Sequence, residues 1–293
     1  MVVDRYDPLR HRVYVEGFLG RLLQASTPPP TNSDAVIQGG TGYAIHLGED
    51  GKEHFDKENH KTLPDEIERM FPDYSIYPMF DFAISMTSRG CPRGCQFCHV
   101  AAKEGRCSVK VADVSDFWNG HPEIRILDPN ITACREKRDL MRQYIDTHAM
   151  LDFTQGLDIR CLNGDDIQDI NKMRLRTLHF AWDNPSDNLA GKFADFAKNF
   201  RRKSNIGMVY CLTNFEDVSL QDHVDRALYR IYTLRDMGFD PYLMIYNKPN
   251  APPILTKMQR WCNNKFVFGK TPRFEDYDAN LKYDRVKKKG LTP

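Results

Sequence analysis

Between residues 81 and 247 two patterns of apolar residues alternate along the chain. Six short runs read as strands: Asp81–Thr87, Glu123–Asp128, Met150–Thr154, Thr177–Asp183, Ile206–Leu212 and Pro241–Tyr246. Between them the apolar residues recur at helical spacing. Leu140, Met141, Tyr144 and Ile145 mark one helix. Ser186 is expected to cap a second, whose apolar face is Leu189, Phe193, Phe196, Ala197 and Phe200. Ser219, with Asp222 three residues on, resembles a capping box ahead of Val224, Ala227, Leu228, Ile231 and Leu234. Gly238 stands where a glycine closes a helix. This rhythm predicts an α/β domain built on a parallel sheet or barrel.

The flanks have a different texture. Residues 1–80 are mixed, with a Pro-rich hinge at Pro28-Pro29-Pro30, the apolar run Ala35-Val36-Ile37 and then Gly39-Gly40-Thr41-Gly42. Pro64 opens a short helical pattern with Asp65 and Glu66 in its first turn and Ile67, Met70 and Phe71 on one face. Residues 248–293 form a C-terminal extension: Pro249, Pro252 and Pro253, then an aromatic stretch (Trp261, Phe266, Phe268) and the basic run Lys287-Lys288-Lys289. The expected division is thus an N-terminal α/β remnant over 1–80, a central α/β domain over 81–247 and the extension over 248–293.

Composition narrows the function classes. With 41 Lys and Arg against 40 Asp and Glu, the net charge of +1 argues against a basic nucleic-acid surface over the whole protein. Three terminal lysines supply little phosphate binding, so nucleic acid is a weakly supported partner. Apolar residues at 41% suffice for a sizeable core, and no run nears the roughly 18 apolar residues of a membrane span. No apolar leader segment is visible at the N-terminus, so a cytoplasmic protein with reduced thiols and no membrane partner is expected.

Reduced thiols that cluster point to metal or catalytic roles. Cys91-Pro92-Arg93-Gly94-Cys95-Gln96-Phe97-Cys98 puts three cysteines within eight residues, directly after the first strand. The spacing C-x3-C-x2-C is neither that of ferredoxins nor a paired C-x2-C zinc site. Three thiolates on a four-iron cluster leave one iron open to a substrate or cofactor. The alternative is a non-catalytic iron–sulfur or zinc module, with Cys107 as a fourth ligand.

With its aromatic residue before the third cysteine, the motif resembles that of the radical S-adenosylmethionine (radical SAM) superfamily. Thr87-Ser88-Arg89-Gly90-Cys91-Pro92 is similar to the methylthiotransferase and cobalamin-binding branches. The strings Gly39-Gly40-Thr41-Gly42-Tyr43, Leu63-Pro64-Asp65-Glu66-Ile67-Glu68, Pro72-Asp73-Tyr74-Ser75 and Gln155-Gly156-Leu157-Asp158-Ile159-Arg160 resemble an uncharacterised phage and bacterial group of that superfamily. The resemblance spans roughly residues 36–270. It implies a partial, TIM-like (β/α)6 barrel with a short N-terminal α/β remnant. It also implies a [4Fe–4S] cluster, S-adenosylmethionine as co-substrate, an electron donor of flavodoxin or ferredoxin type, and a substrate that is macromolecular in relatives with similar cysteine loops. The activity implied is reductive cleavage of SAM to methionine and a 5′-deoxyadenosyl radical, with the protein orienting the groups and excluding quenching. Cobalamin is not expected, since no Asp-x-His-x-x-Gly motif is present.

Carried over by the resemblance, Cys91, Cys95 and Cys98 are the cluster ligands and Phe97 lies near the adenine. Where the family has Gly-Gly-Glu, this chain has Leu127-Asp128-Pro129-Asn130, so Asp128 and Asn130 are the expected acceptors for the SAM amino group. Arg160 is expected to pair with the SAM carboxylate, and Asp183 with Asn184 to meet the ribose. Each has a plainer reading: Asp128 as a helix cap, Asp183 as a turn former, Arg160 as an ion-pair partner of Asp158. His99 and His179 are expected behind the ligands and in the interior. Cys107, Cys134, Cys161, Cys211 and Cys262 are expected to be buried structural thiols, with Cys161 and Cys211, near strand ends, as candidates for hydrogen donation or a transient substrate link. Gly39-Gly40-Thr41-Gly42 is read as a turn rather than a phosphate cradle, and Trp261 as packing.

Overall fold

The computed structural model describes residues 70–76 and 78–278, together with 2–3, 12–16, 35–39, 45–49, 53–56 and 58. The helical pattern opened by Pro64 and the run Lys287-Lys288-Lys289 lie outside the described residues. So does Gly40-Thr41-Gly42, beyond the strand that ends at Gly39. The chain divides into two compact units. One comprises Met1–Ala181 and Asp195–Lys203, the other Trp182–Ala194 and Ser204–Pro293.

The first unit opens with β1 (Val2–Val3), β2 (Arg12–Glu16) and β3 (Ala35–Gly39), with β2 antiparallel to β1 and parallel to β3. An antiparallel pair, β4 (Ile45–Leu47) and β5 (Glu53–Phe55), follows. The main sheet is built from β6 (Ala83–Ser85), β9 (Glu123–Ile126), β10 (Met150–Phe153) and β11 (Arg174–Thr177) in the order β11-β10-β9-β6, all parallel. A two-stranded ribbon, β7 (Ser88–Arg89) and β8 (Val109–Lys110), interrupts it after β6. β12 (His179–Ala181) meets the unit through a parallel bridge between Leu157 and Phe180.

The period of two in β9 and β10 decides the core. Ile124, Ile126, Leu151 and Phe153 are buried, whereas Glu123, Arg125 and Asp152 point the other way and are only half-buried. Helix Lys137–Asp146 buries Leu140, Met141 and Tyr144 against this apolar face, and Tyr144 meets Phe153 edge-on at 6.0 Å. Helix Gly164–Lys172 starts at a capping box in which Asn163 and Asp166 satisfy each other's backbone N–H groups, and it buries Ile167 and Ile170.

Two expectations are corrected. The sequence predicts a fourth strand over Thr177–Asp183, but the chain forms β11 and then β12, broken at the buried Leu178. β11 stands at the end of the sheet and buries only Leu175, so its charged neighbours Arg174 and Arg176 hid it from an apolar count. Ser186 does not open the next helix, which runs Ala190–Asn199. Its N–H donates to Asn184 Oδ1 at 2.9 Å, and Asn184 reaches Asp187 in turn, so these residues spend themselves on a turn.

In the second unit β13 (Met208–Thr213) and β14 (Asp240–Ile245) pair in parallel over six positions. The helix between them, Leu220–Asp236, has the expected ends. Ser219 accepts the Asp222 N–H at 3.1 Å. At the other end the N–H groups of Gly238 (φ 87°) and Phe239 reach back to Arg235 O and Leu234 O, a Schellman closure. The expected C-terminal extension holds helices Pro253–Asn263 and Lys265–Lys270. Trp261 is fully buried there, its Nε1 donating to Thr271 O at 2.8 Å and its ring edge-on to Phe268, as expected of packing.

Candidate functional site

The cysteine motif lies in the excursion between β7 and β8. Pairing of Ser88 with Lys110 and Arg89 with Val109 closes its base, and the Cys91 N–H donates to Gly105 O at 3.1 Å. Gly90 is required there. Its φ is 87°, and a Cβ on it would lie 2.1 Å from the carbonyl oxygen of Cys107. Helix Val100–Glu104 follows the motif, and Glu104 returns a carboxylate to the Gly90 N–H at 3.1 Å.

Asp128 fastens the ribbon to the sheet. It follows β9 by two residues and is 2% exposed. Its Oδ2 accepts the Thr87 N–H at 2.9 Å, and its Oδ1 accepts the Thr87 hydroxyl (2.8 Å), the Ser88 N–H (2.6 Å) and the Ser88 hydroxyl (2.6 Å). Burial pushes the Asp128 carboxyl above its ordinary pKa, against the pull of these donors from Ser88 and Thr87.

Asn130 is also buried, 3% exposed, and caps the turn Ile131–Ala133. Its Oδ1 accepts the Ala133 N–H at 3.2 Å and the Thr132 hydroxyl at 2.8 Å, while its Nδ2 donates to Cys91 Sγ at 3.4 Å. Ser108 donates its hydroxyl to Asn130 O at 2.8 Å.

The third element comes from the segment after β10. Asp158 donates its N–H to Thr132 Oγ1 at 3.1 Å. Its carboxylate sits between two arginines, Arg160 (Nε to Oδ1, 2.7 Å) and Arg93 (Nε to Oδ2, 2.6 Å). Burial alone would raise the Asp158 pKa, but Arg160 and Arg93 hold it below the ordinary carboxylate range. Arg93 belongs to the cysteine motif and also donates to Cys161 Sγ at 3.3 Å. Hydrogen bonds therefore run from Cys91 through Asn130, Thr132 and Asp158 to Arg93, tying the motif at two points to the carboxyl ends of β9 and β10.

Cys91, Cys95, Cys98, Phe97, Asp128, Asn130 and Arg160 all fall in the first unit. Cys91, Cys95 and Phe97 are half-buried and Cys98 is exposed. All eight cysteines are free of disulfides. Among the described residues no three Cys, His, Asp or Glu side chains stand close enough together to hold a metal ion as placed. Three cysteine thiols outside any disulfide on one eight-residue loop, with a buried amide donating to one sulfur, are nevertheless the donor chemistry of an iron–sulfur cluster. Arg160 makes the ion pair with Asp158 that its plainer reading anticipated.

Asp183 belongs to the second unit. Its Oδ1 accepts the Leu212 N–H at 3.1 Å, and its carbonyl accepts a hydrogen bond from Arg230. Arg230, 1% exposed, also donates to the carbonyls of Trp182, Leu212 and Arg226. Its pattern in the sequence was that of any helical arginine, so its burial was not legible there.

The remaining thiols divide by burial. Cys134, Cys211 and Cys262 are buried as expected, and burial pushes the Cys211 thiol up to about 12. Cys107 is exposed and Cys161 half-buried, contrary to the expectation of interior thiols. Both lie beside the cysteine motif, whose turn needs backbone at Cys107 and whose Arg93 reaches Cys161. His179 is half-buried, with Nδ1 3.1 Å from Phe153 O and 3.6 Å from Asp152 Oδ1. His99 is half-buried, 6.2 Å from the Phe55 ring.

No known family model matches the chain, and no curated protein matches it. Among the described residues no helix is long and apolar enough to cross a membrane.

Proposed function

We propose that the chain is a radical SAM enzyme, with Cys91, Cys95 and Cys98 holding a [4Fe–4S] cluster within a partial (β/α)6 barrel. When bound, the cluster would supply the electron for reductive cleavage of SAM to methionine and a 5′-deoxyadenosyl radical. The observation that carries the reading is the C-x3-C-x2-C loop braced at the carboxyl ends of two parallel strands, by Asn130 on Cys91 and by Asp158 on Arg93. Barrel sites are built at that end of a sheet. In this reading Asp128 and Asp158 hold the loop in place and Phe97 offers an aromatic face for the adenine. A reductant of flavodoxin or ferredoxin type and an unidentified substrate complete the system.

A second reading, a structural zinc or iron–sulfur module, draws support from the return of the chain at Cys107 to the turn at Gly90. The two make opposite predictions. Anaerobically reconstituted enzyme should hold about four irons and four sulfides, survive Cys107→Ala, and change its reduced-state EPR spectrum when SAM is added. Loss of metal in Cys107→Ala, with a spectrum indifferent to SAM, would instead establish the module.

A further inference from the structure

We infer that Asn130 is a positioning residue that sets the reduction potential of the cluster through its hydrogen bond to Cys91. The inference rests on the radical SAM reading above and adds to it a role for a side chain outside the cysteine motif.

The orientation of the Asn130 amide is fixed by its partners. An asparagine amide offers one oxygen with two lone pairs and one nitrogen with two protons. At Asn130 both lone pairs are in use, one by the Ala133 N–H and one by the Thr132 hydroxyl. A flipped amide would set its NH2 against the Ala133 N–H, donor against donor, so the network fixes the orientation. The nitrogen that remains faces Cys91 Sγ at 3.4 Å. The side chain is 3% exposed, so water competes little for this contact. Thr132 holds the arrangement from behind, since its hydroxyl also accepts the Asp158 N–H at 3.1 Å.

A hydrogen bond to a cluster sulfur favours the more negatively charged, reduced state, because the extra electron density is shared with the ligand sulfurs. Removing the donor should therefore lower the potential. With Oδ1 committed to the turn, the amide meets the ligand rather than offering an acceptor to the SAM amino group.

The test is an EPR-monitored redox titration of reconstituted enzyme. Asn130→Ser keeps an oxygen that can cap the turn but cannot reach Cys91. Thr132→Val frees the amide without touching Cys91 and guards against a Ser variant that does not fold. The Ser variant should show a midpoint lower by about 59 mV, a tenfold shift in the one-electron equilibrium, at unchanged iron content. The Val variant should shift the same way by less. Full iron content in both variants with unmoved midpoints would overturn the inference and leave the radical SAM reading standing. A wild-type protein that takes up no cluster would overturn both.

Discussion

At the scale of single residues, two aspartates hold the cysteine loop by different means. Asp158 works as a charge between Arg93 and Arg160, and its pKa lies below the ordinary value. Its stabilising contribution is therefore complete above the unfolded-state pKa of about 3.9 and is lost as the pH falls through the lower folded-state value. Thermal melts of Asp158→Asn should lie below wild type at pH 6, and the gap should narrow as the pH drops below about 3.9. A gap independent of pH would contradict the ion-pair role. Asp128 works through hydrogen bonds: two main-chain N–H groups and two hydroxyls converge on it in a buried place. Asp128→Ala should cost about 2–4 kcal/mol in urea denaturation, because it strands those donors without an acceptor.

Elements explain why these residues meet. The ribbon β7–β8 returns the chain to the sheet after the cysteine excursion, and Gly90 makes its tight turn. Gly90→Ala should destabilise the protein by about 2 kcal/mol or more. Hydrogen exchange should quicken at the amides of Val111 and Ala112, which pair with Thr87 O. Unchanged protection there would mean that the turn tolerates a side chain. The elements were legible where one face is apolar and a cap is local. β9, β10 and the helix from Leu220 to Asp236 fall where period-two runs and the Ser219–Asp222 pair put them. β11 was hidden because it buries only Leu175 and keeps Arg174 and Arg176 outside. The bracing of the site was hidden for another reason. Asn130, Thr132 and Asp158 are polar residues whose meaning comes from partners 26 to 65 positions away, and no local pattern encodes such distances.

At the scale of the whole molecule, the chain divides into two compact units. In the second, Arg230 takes the place of an apolar residue, donating to the carbonyls of Trp182, Asp183, Leu212 and Arg226. Burial lowers its pKa. Arg230→Ala should lower stability by about 3 kcal/mol in chemical denaturation, since buried carbonyls would lose their donor. An unchanged midpoint would show that water replaces the guanidinium. The parallel α/β architecture was readable from strand–helix alternation. The division into units was not, since it turns on residues 195–203 belonging with the N-terminal unit while 182–194 belong with the C-terminal one.

The central claim is that Cys91, Cys95 and Cys98 support radical chemistry on SAM. It is tested most directly by incubating anaerobically reconstituted protein with SAM and dithionite and quantifying 5′-deoxyadenosine by mass spectrometry. The wild type should yield 5′-deoxyadenosine and Cys98→Ala none. Equal amounts from both proteins, or none from wild-type protein with a full cluster and excess reductant, would contradict it.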